Sequence, residues 1–220
     1  MFNKILASPI LVRVVPFALF AGLTLLQGRL GDSSQYWLYA LKTVLGAWML
    51  WVVRPCVEEM HWAFSWEAVL AGVLVFLAWV GLEGHYRLLL GRPPETFNPL
   101  RSYGAGSAPA FLFIGIRTLG SSLVVPPLEE VFYRSFLYRY LIQSEFREVS
   151  LGRLEWVPFL ITGLVFGLNH YEWLPGILCA LIYQGLVCRK GRLGDAITAH
   201  AITNFLLAIW VIVRHAYYFW

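Results

Sequence analysis

Charge is scarce in this chain: only 14% of its 220 residues are Asp, Glu, Lys or Arg, against roughly 25% in ordinary soluble domains. With 59% hydrophobic residues, there is too little polar surface to coat a water-soluble globule, and the chain reads as a membrane protein. Cysteine is equally sparse. Cys56, Cys179 and Cys188 are scattered, with no CxxC pair and no metal-type spacing, which excludes a secreted disulfide scaffold. They read as small buried hydrophobes. Low-complexity linkers and internal repeats are missing, and 16% aromatic residues exclude disorder. The net charge of +4 forms no basic stripe. Its clusters lie between apolar runs, so nucleic acid is not an expected partner and a membrane-sidedness signal is.

Compared with the ~20 residues that cross a hydrocarbon core, the clearest runs are 14–28, 36–53, 66–82, 108–125 and 193–213, with shorter ones at 132–142, 156–169 and 174–187. Together they predict an all-α polytopic membrane protein of about eight transmembrane helices enclosing an intramembrane cavity, in one domain over 1–220. Turn chemistry and charge at 54–55, 91–99, 102–109 and 189–194 separate the runs. The first run has no small-residue cleavage site after it and predicts a retained helix, not a signal peptide.

Ionisable groups inside apolar spans are costly and mark working sites. The first such place is Pro126-Pro127-Leu128-Glu129-Glu130, followed by Arg134. The prolines predict that one helix ends and another begins there, with both carboxylates in its first turn. Glu130 and Arg134, four apart, share a face and can pair. Glu129, about 100° away, is left free. The second is Phe166-x-x-x-His170, where Gly163 and Gly167 offer a neighbouring helix close approach beside the histidine. The third is His200-x-x-x-Asn204, two hydrogen-bonding side chains on one face of the last apolar span. Each alone also reads as structural polarity. Together, a carboxylate, two histidines and an asparagine on separate apolar helices supply a base for water and donors for an oxyanion.

In this order, the three motifs resemble those of the CAAX-protease and bacteriocin-processing family of glutamic-type intramembrane endopeptidases. The resemblance covers about 108–213. It implies that Glu129 and His170 activate water, that His200 and Asn204 stabilise the oxyanion, and that Glu130, Arg134 and Phe166 support them, Glu130 and Arg134 by orienting Glu129. It implies no metal and no other cofactor; a His-Glu-x-x-His zinc helix is absent from the sequence. The expected partners are membrane lipid and a protein or peptide substrate with a C-terminal membrane segment or sorting signal. Two other readings stand beside it: a catalytically silent relative serving as an immunity or scaffold protein, and a proton-coupled transporter.

If the expected helices alternate, the loops carrying Arg87, Arg92 and Arg101, then Arg139, Arg147 and Arg153, then Arg189, Lys190 and Arg192 share one side, cytoplasmic by the positive-inside rule. The catalytic mouth then faces away from the cytoplasm. This fits a multi-pass inner-membrane protein related to the bacterial enzymes that accompany exosortase systems, although Lys4 and Arg13 fall on the wrong side. Lys42 and Arg117, near the middle of their spans, read as paired internally or snorkelling, with capture of a substrate carboxylate as the other reading.

Overall fold

The computed structural model describes residues 2–91 and 95–220, with side chains from Lys4 onward. Arg92, one of the loop arginines above, lies outside the described residues. Among the described residues the chain is all-helical, without strands: α1 Phe2–Leu6, α2 Leu11–Leu26, α3 Ser34–Val53, α4 Trp66–Gly81, α5 Pro99–Tyr103, α6 Ala108–Ile142, α7 Trp156–Leu168, α8 Trp173–Lys190 and α9 Gly194–Arg214. Three helices are long and apolar enough to cross a membrane: α3 with its short extension to Cys56, α6 and α9.

The expected helix boundary at Pro126-Pro127 does not exist. α6 runs through both prolines without interruption for 35 residues, so two of the eight expected helices are one. Glu129 and Glu130 therefore lie deep within a helix, and a helix N-terminal dipole is not what holds them. A proline ring clashes with the carbonyl four residues back and donates no hydrogen bond. α6 absorbs this by opening into wide π turns on both sides, Gly120–Val124 and Val131–Leu137, which set the backbone bonds one residue further back. Val125 N–H bonds to the Gly120 carbonyl. In the same pattern the Ser121 carbonyl would receive Pro126, which has no N–H to give. Asn204 of α9 fills the vacancy, its Nδ2 donating to Ser121 O at 2.8 Å.

Two close approaches seat the motif-bearing helices α7 and α9 against their neighbours α8 and α4. In the α7–α8 hairpin, a side-chain carbon on Gly167 would stand 2.6 Å from Ile177 N and 2.8 Å from Trp173 O, so only glycine permits this spacing. At the crossing of α4 and α9, a carbon on Gly72 would stand 2.6 Å from the Ala199 carbonyl. There Thr203 Oγ1 donates to Gly72 O at 2.7 Å. This contact carries His200 into the interior, and residues Gly194 to His200 are buried without a break.

The bundle has two distinct ends. At one, Glu59 accepts from Arg13 Nη2 at 2.8 Å and from Arg139 Nη2 at 2.6 Å, with Ser135 Oγ also donating to the same oxygen. This ties α2, the 54–65 loop and α6 together. Cys188 bonds to Arg153 O nearby, at 3.4 Å, and Cys56 is exposed there, not buried as expected. At the other end, Trp173 Nε1 donates to Arg87 O at 3.0 Å and the Tyr86 hydroxyl donates to Glu172. The loop of Arg87 and Arg101 thus lies opposite the loops of Arg147, Arg153 and Arg189–Arg192, not beside them. The reason is the single continuous α6, which removes one crossing from the expected count.

Candidate active site

Glu129, Glu130 and Arg134 project from the middle of α6 between its two π turns, and meet His200 from α9. Glu130 is fully buried. One of its oxygens lies 3.2 Å from Arg134 Nε, the pairing that the spacing of four anticipates. Its other oxygen lies 2.9 Å from His200 Nδ1. That second contact could not be read from the helical period, because the partners are 70 positions apart. Glu130 thus fastens His200 directly, whereas the resemblance had it orienting Glu129.

With Nδ1 engaged by a carboxylate, the second ring nitrogen of His200 is left to face the site. His200 Nε2 stands 3.9 Å from Glu129 Oε2. Glu129 is the more accessible carboxylate, its side chain 17% exposed against none for Glu130, and its Oε2 has no hydrogen-bond partner. The gap is too wide for a direct hydrogen bond and suits one small oxygen species bonded to both groups.

Phe166 is the hub of the surrounding wall. The Arg134 guanidinium lies over its ring at 4.6 Å, with the His170 ring 4.8 Å and the His200 ring 6.2 Å from it. A cation on an aromatic face is electrostatically favoured, and here it holds Arg134 in place to neutralise Glu130. His170 sits just beyond the end of α7, with Nδ1 2.8 Å from Phe166 O and its ring 5.6 Å from Trp79. Among the described residues no hydrogen bond or ion pair joins it to Glu129 or Glu130, and its ring packs on Phe166. His170 also lines a cavity of about 410 Å³.

Asn204 shares the α9 face of His200, as expected, but one of its amide hydrogens is committed to Ser121 O; an amide nitrogen carries two. Two tyrosines not anticipated from the motifs complete the setting. Tyr183 of α8 places its ring 5.5 Å from His200 and bonds Thr203 at 2.6 Å, and Tyr133 accepts from Asn169 Nδ2 at 2.8 Å. Neither belongs to a recognisable pattern, since aromatic residues at helical spacing usually signal only a core.

Outside the spans, burial and then the neighbouring Glu172 carboxylate push the Tyr86 phenol well above its ordinary value, so it stays a hydrogen-bond donor. Burial pushes the Glu59 carboxyl up, but Arg13 and Ser135 outweigh this and hold it below the ordinary value. Among the described residues no group of three or more His, Cys, Asp and Glu is arranged to hold a metal ion.

Residues 109–206 match the family model described as type II CAAX prenyl endopeptidase Rce1-like. That stretch contains all three motifs, and its match supports the CAAX-protease family. No curated protein and no solved structure matches the chain.

Proposed function

Starting from a membrane protein whose residues 109–206 are those of a CAAX-type peptidase, we propose that it hydrolyses a peptide bond near the C-terminus of a membrane-anchored or exported protein, using water activated by Glu129 and His170. The observation that carries this reading is the division of labour between adjacent glutamates. Glu130 is fully buried and held by Arg134 at 3.2 Å and His200 at 2.9 Å, while Glu129 is 17% exposed and comes no closer than 3.9 Å to His200 Nε2.

Glu129 accepts a proton from water as the water oxygen attacks the scissile carbonyl carbon. The oxyanion that forms is stabilised from the Nε2 side of His200, whose ring Glu130 holds, and by the uncommitted amide hydrogen of Asn204. The proton held by Glu129 passes to the departing amine as the C–N bond breaks, giving one carboxylic acid and one amine. His170, on the cavity side of Phe166, directs the water with Glu129.

Seven helices of this arrangement, α2 to α4 and α6 to α9, run alternately between the two ends. The end with Arg54, Arg147, Arg153 and Arg189 to Arg192 carries the greater positive charge and faces the cytoplasm in this proposal. An odd number of crossings also places Lys4 and Arg13 there, removing their earlier conflict with the orientation. His170 and its cavity then face outward, as suits a sorting segment of an exported protein. A reporter fused after Trp220 should be active only outside the cytoplasm; cytoplasmic activity refutes the orientation.

Glu129→Ala, His170→Ala and His200→Ala are each expected to lower cleavage of tail peptides in vesicles by 10²-fold or more without loss of the folded protein. Undiminished cleavage in all three would sink the protease reading. Proton-coupled flux that all three abolish, with no cleavage in the unsubstituted chain, would favour transport instead.

A further inference from the structure

The cavity of about 410 Å³ beside His170 holds two cations that the catalytic cluster does not use. Lys42 of α3 is 3% exposed. Its ammonium donates to Thr24 Oγ1 at 2.7 Å and Gln27 Oε1 at 2.6 Å and lies 4.6 Å and 4.8 Å from the rings of Phe20 and Tyr39. Both acceptors are neutral, and an ammonium has a third hydrogen to give. Arg117 of α6 lies over Tyr39 at 4.3 Å and Phe97 at 5.1 Å, and its buried Nε has no hydrogen-bond partner. No carboxylate of the described residues forms an ion pair with either. The one acidic side chain among the described residues that line the cavity, Glu172, is engaged by Tyr86.

The other buried cations of this chain do not behave so. Arg13 and Arg139 share Glu59, and Arg134 has Glu130. Two basic side chains without a carboxylate partner in one cavity are costly to bury and make an anion site that is complete except for the anion. We propose that Lys42 and Arg117 receive the free C-terminal carboxylate of the peptide substrate, and so fix which end of a chain can enter. The proposal rests on the protease reading above and adds the chemical requirement on the substrate. A planar carboxylate suits the arginine fork, the ammonium supplies the second contact, and His170 in the same wall links the site to the reacting centre.

The spacing sets where cleavage falls. Arg117 and Glu129 stand on one helix, about 18 Å apart along its axis at ~1.5 Å per residue. An extended peptide covers that distance with about five residues at ~3.4 Å each, and with fewer once both cationic side chains reach inward. The departing fragment is therefore short, about three to five residues.

The test uses the full chain in nanodiscs of neutral lipid and an apolar dodecapeptide, either as the free acid or as its C-terminal amide. The unsubstituted protein should prefer the acid by tenfold or more, in KM with kcat little changed. Arg117→Gln and Lys42→Met should each raise KM for the acid to that of the amide, while Arg117→Lys keeps part of the preference. Equal use of acid and amide, or a preference that survives both substitutions, overturns the proposal. A cation-dependent activity that appears only when anionic phospholipid is added also overturns it, in favour of a lipid phosphate.

If neither peptide is cleaved, the protease reading fails by itself, and the carboxylate site is then read by binding of the two fluorescein-labelled peptides. Acid-selective binding lost in Arg117→Gln upholds the site. Equal binding overturns it.

Discussion

The two ends of the bundle handle buried charge in opposite ways. In the cavity of about 710 Å³ at one end, Arg13 and Arg139 meet Glu59, so that two cations and one carboxylate from three segments form a closed cluster. In the cavity of about 410 Å³ at the other, Lys42 and Arg117 meet only neutral oxygens and aromatic rings. Both arrangements cost desolvation. Only the first recovers it within the folded chain, so the first fastens helices together and the second keeps binding energy in reserve for something that arrives. The candidate active site between them contains one example of each: Glu130 is ion-paired with Arg134 at 3.2 Å, and Glu129 comes no closer than 3.9 Å to His200.

The contrast is broken most severely at Glu59. Glu59→Gln leaves Arg13 and Arg139 facing one another without a counter-ion and should destabilise the protein by about 3–5 kcal/mol. Lys42→Met, although it also removes a buried charge, should leave stability within about 1 kcal/mol of the original, because it deletes an uncompensated cation. Thermal unfolding in detergent compares the two, and a Lys42→Met loss as large as that of Glu59→Gln would erase the distinction.

Acid gives a smaller and reversible version of the first effect. The Glu59 carboxyl is depressed in the folded protein, so its stabilisation is fully present above its ordinary value of 4.5 and is lost as pH falls through the lower folded value. A melting-temperature profile against pH should therefore drop below about pH 4.5 in the original chain. The drop should be shallower in Glu59→Gln, which has no such proton to take up. Identical acid limbs would remove Glu59 as their cause.

Much of the candidate site was legible in the sequence because an apolar background makes each ionisable residue conspicuous. The Glu130–Arg134 pair follows from a spacing of four, and the shared face of His200 and Asn204 from the same rule. What escaped was everything carried across helices. No local pattern announces that Glu130 bonds His200, that Glu59 gathers Arg13 and Arg139, or that Tyr183 packs on His200. The prolines misled for a different reason. Pro126 and Pro127 do remove backbone donors, as the sequence implies, but wide turns and a borrowed amide from Asn204 cover the loss. That one error displaced the Arg87 and Arg101 loop to the wrong end. It also hid that Lys4 and Arg13 agree with the charge pattern.

The π turn over Gly120–Val124 also bears on how this protein can change over generations. Because the turn holds one residue more than a regular helix needs, losing a single position there would leave α6 helical, apolar and long enough to cross a bilayer. Yet it would close the wide turn that leaves the Ser121 carbonyl open, and Asn204 would lose its acceptor there. All three motifs would still read correctly in such a sequence. In this chain the spacing between Arg117 and Glu129 therefore carries information that the motifs do not, and a relative with an altered count there should not be credited with the same chemistry on its motifs alone.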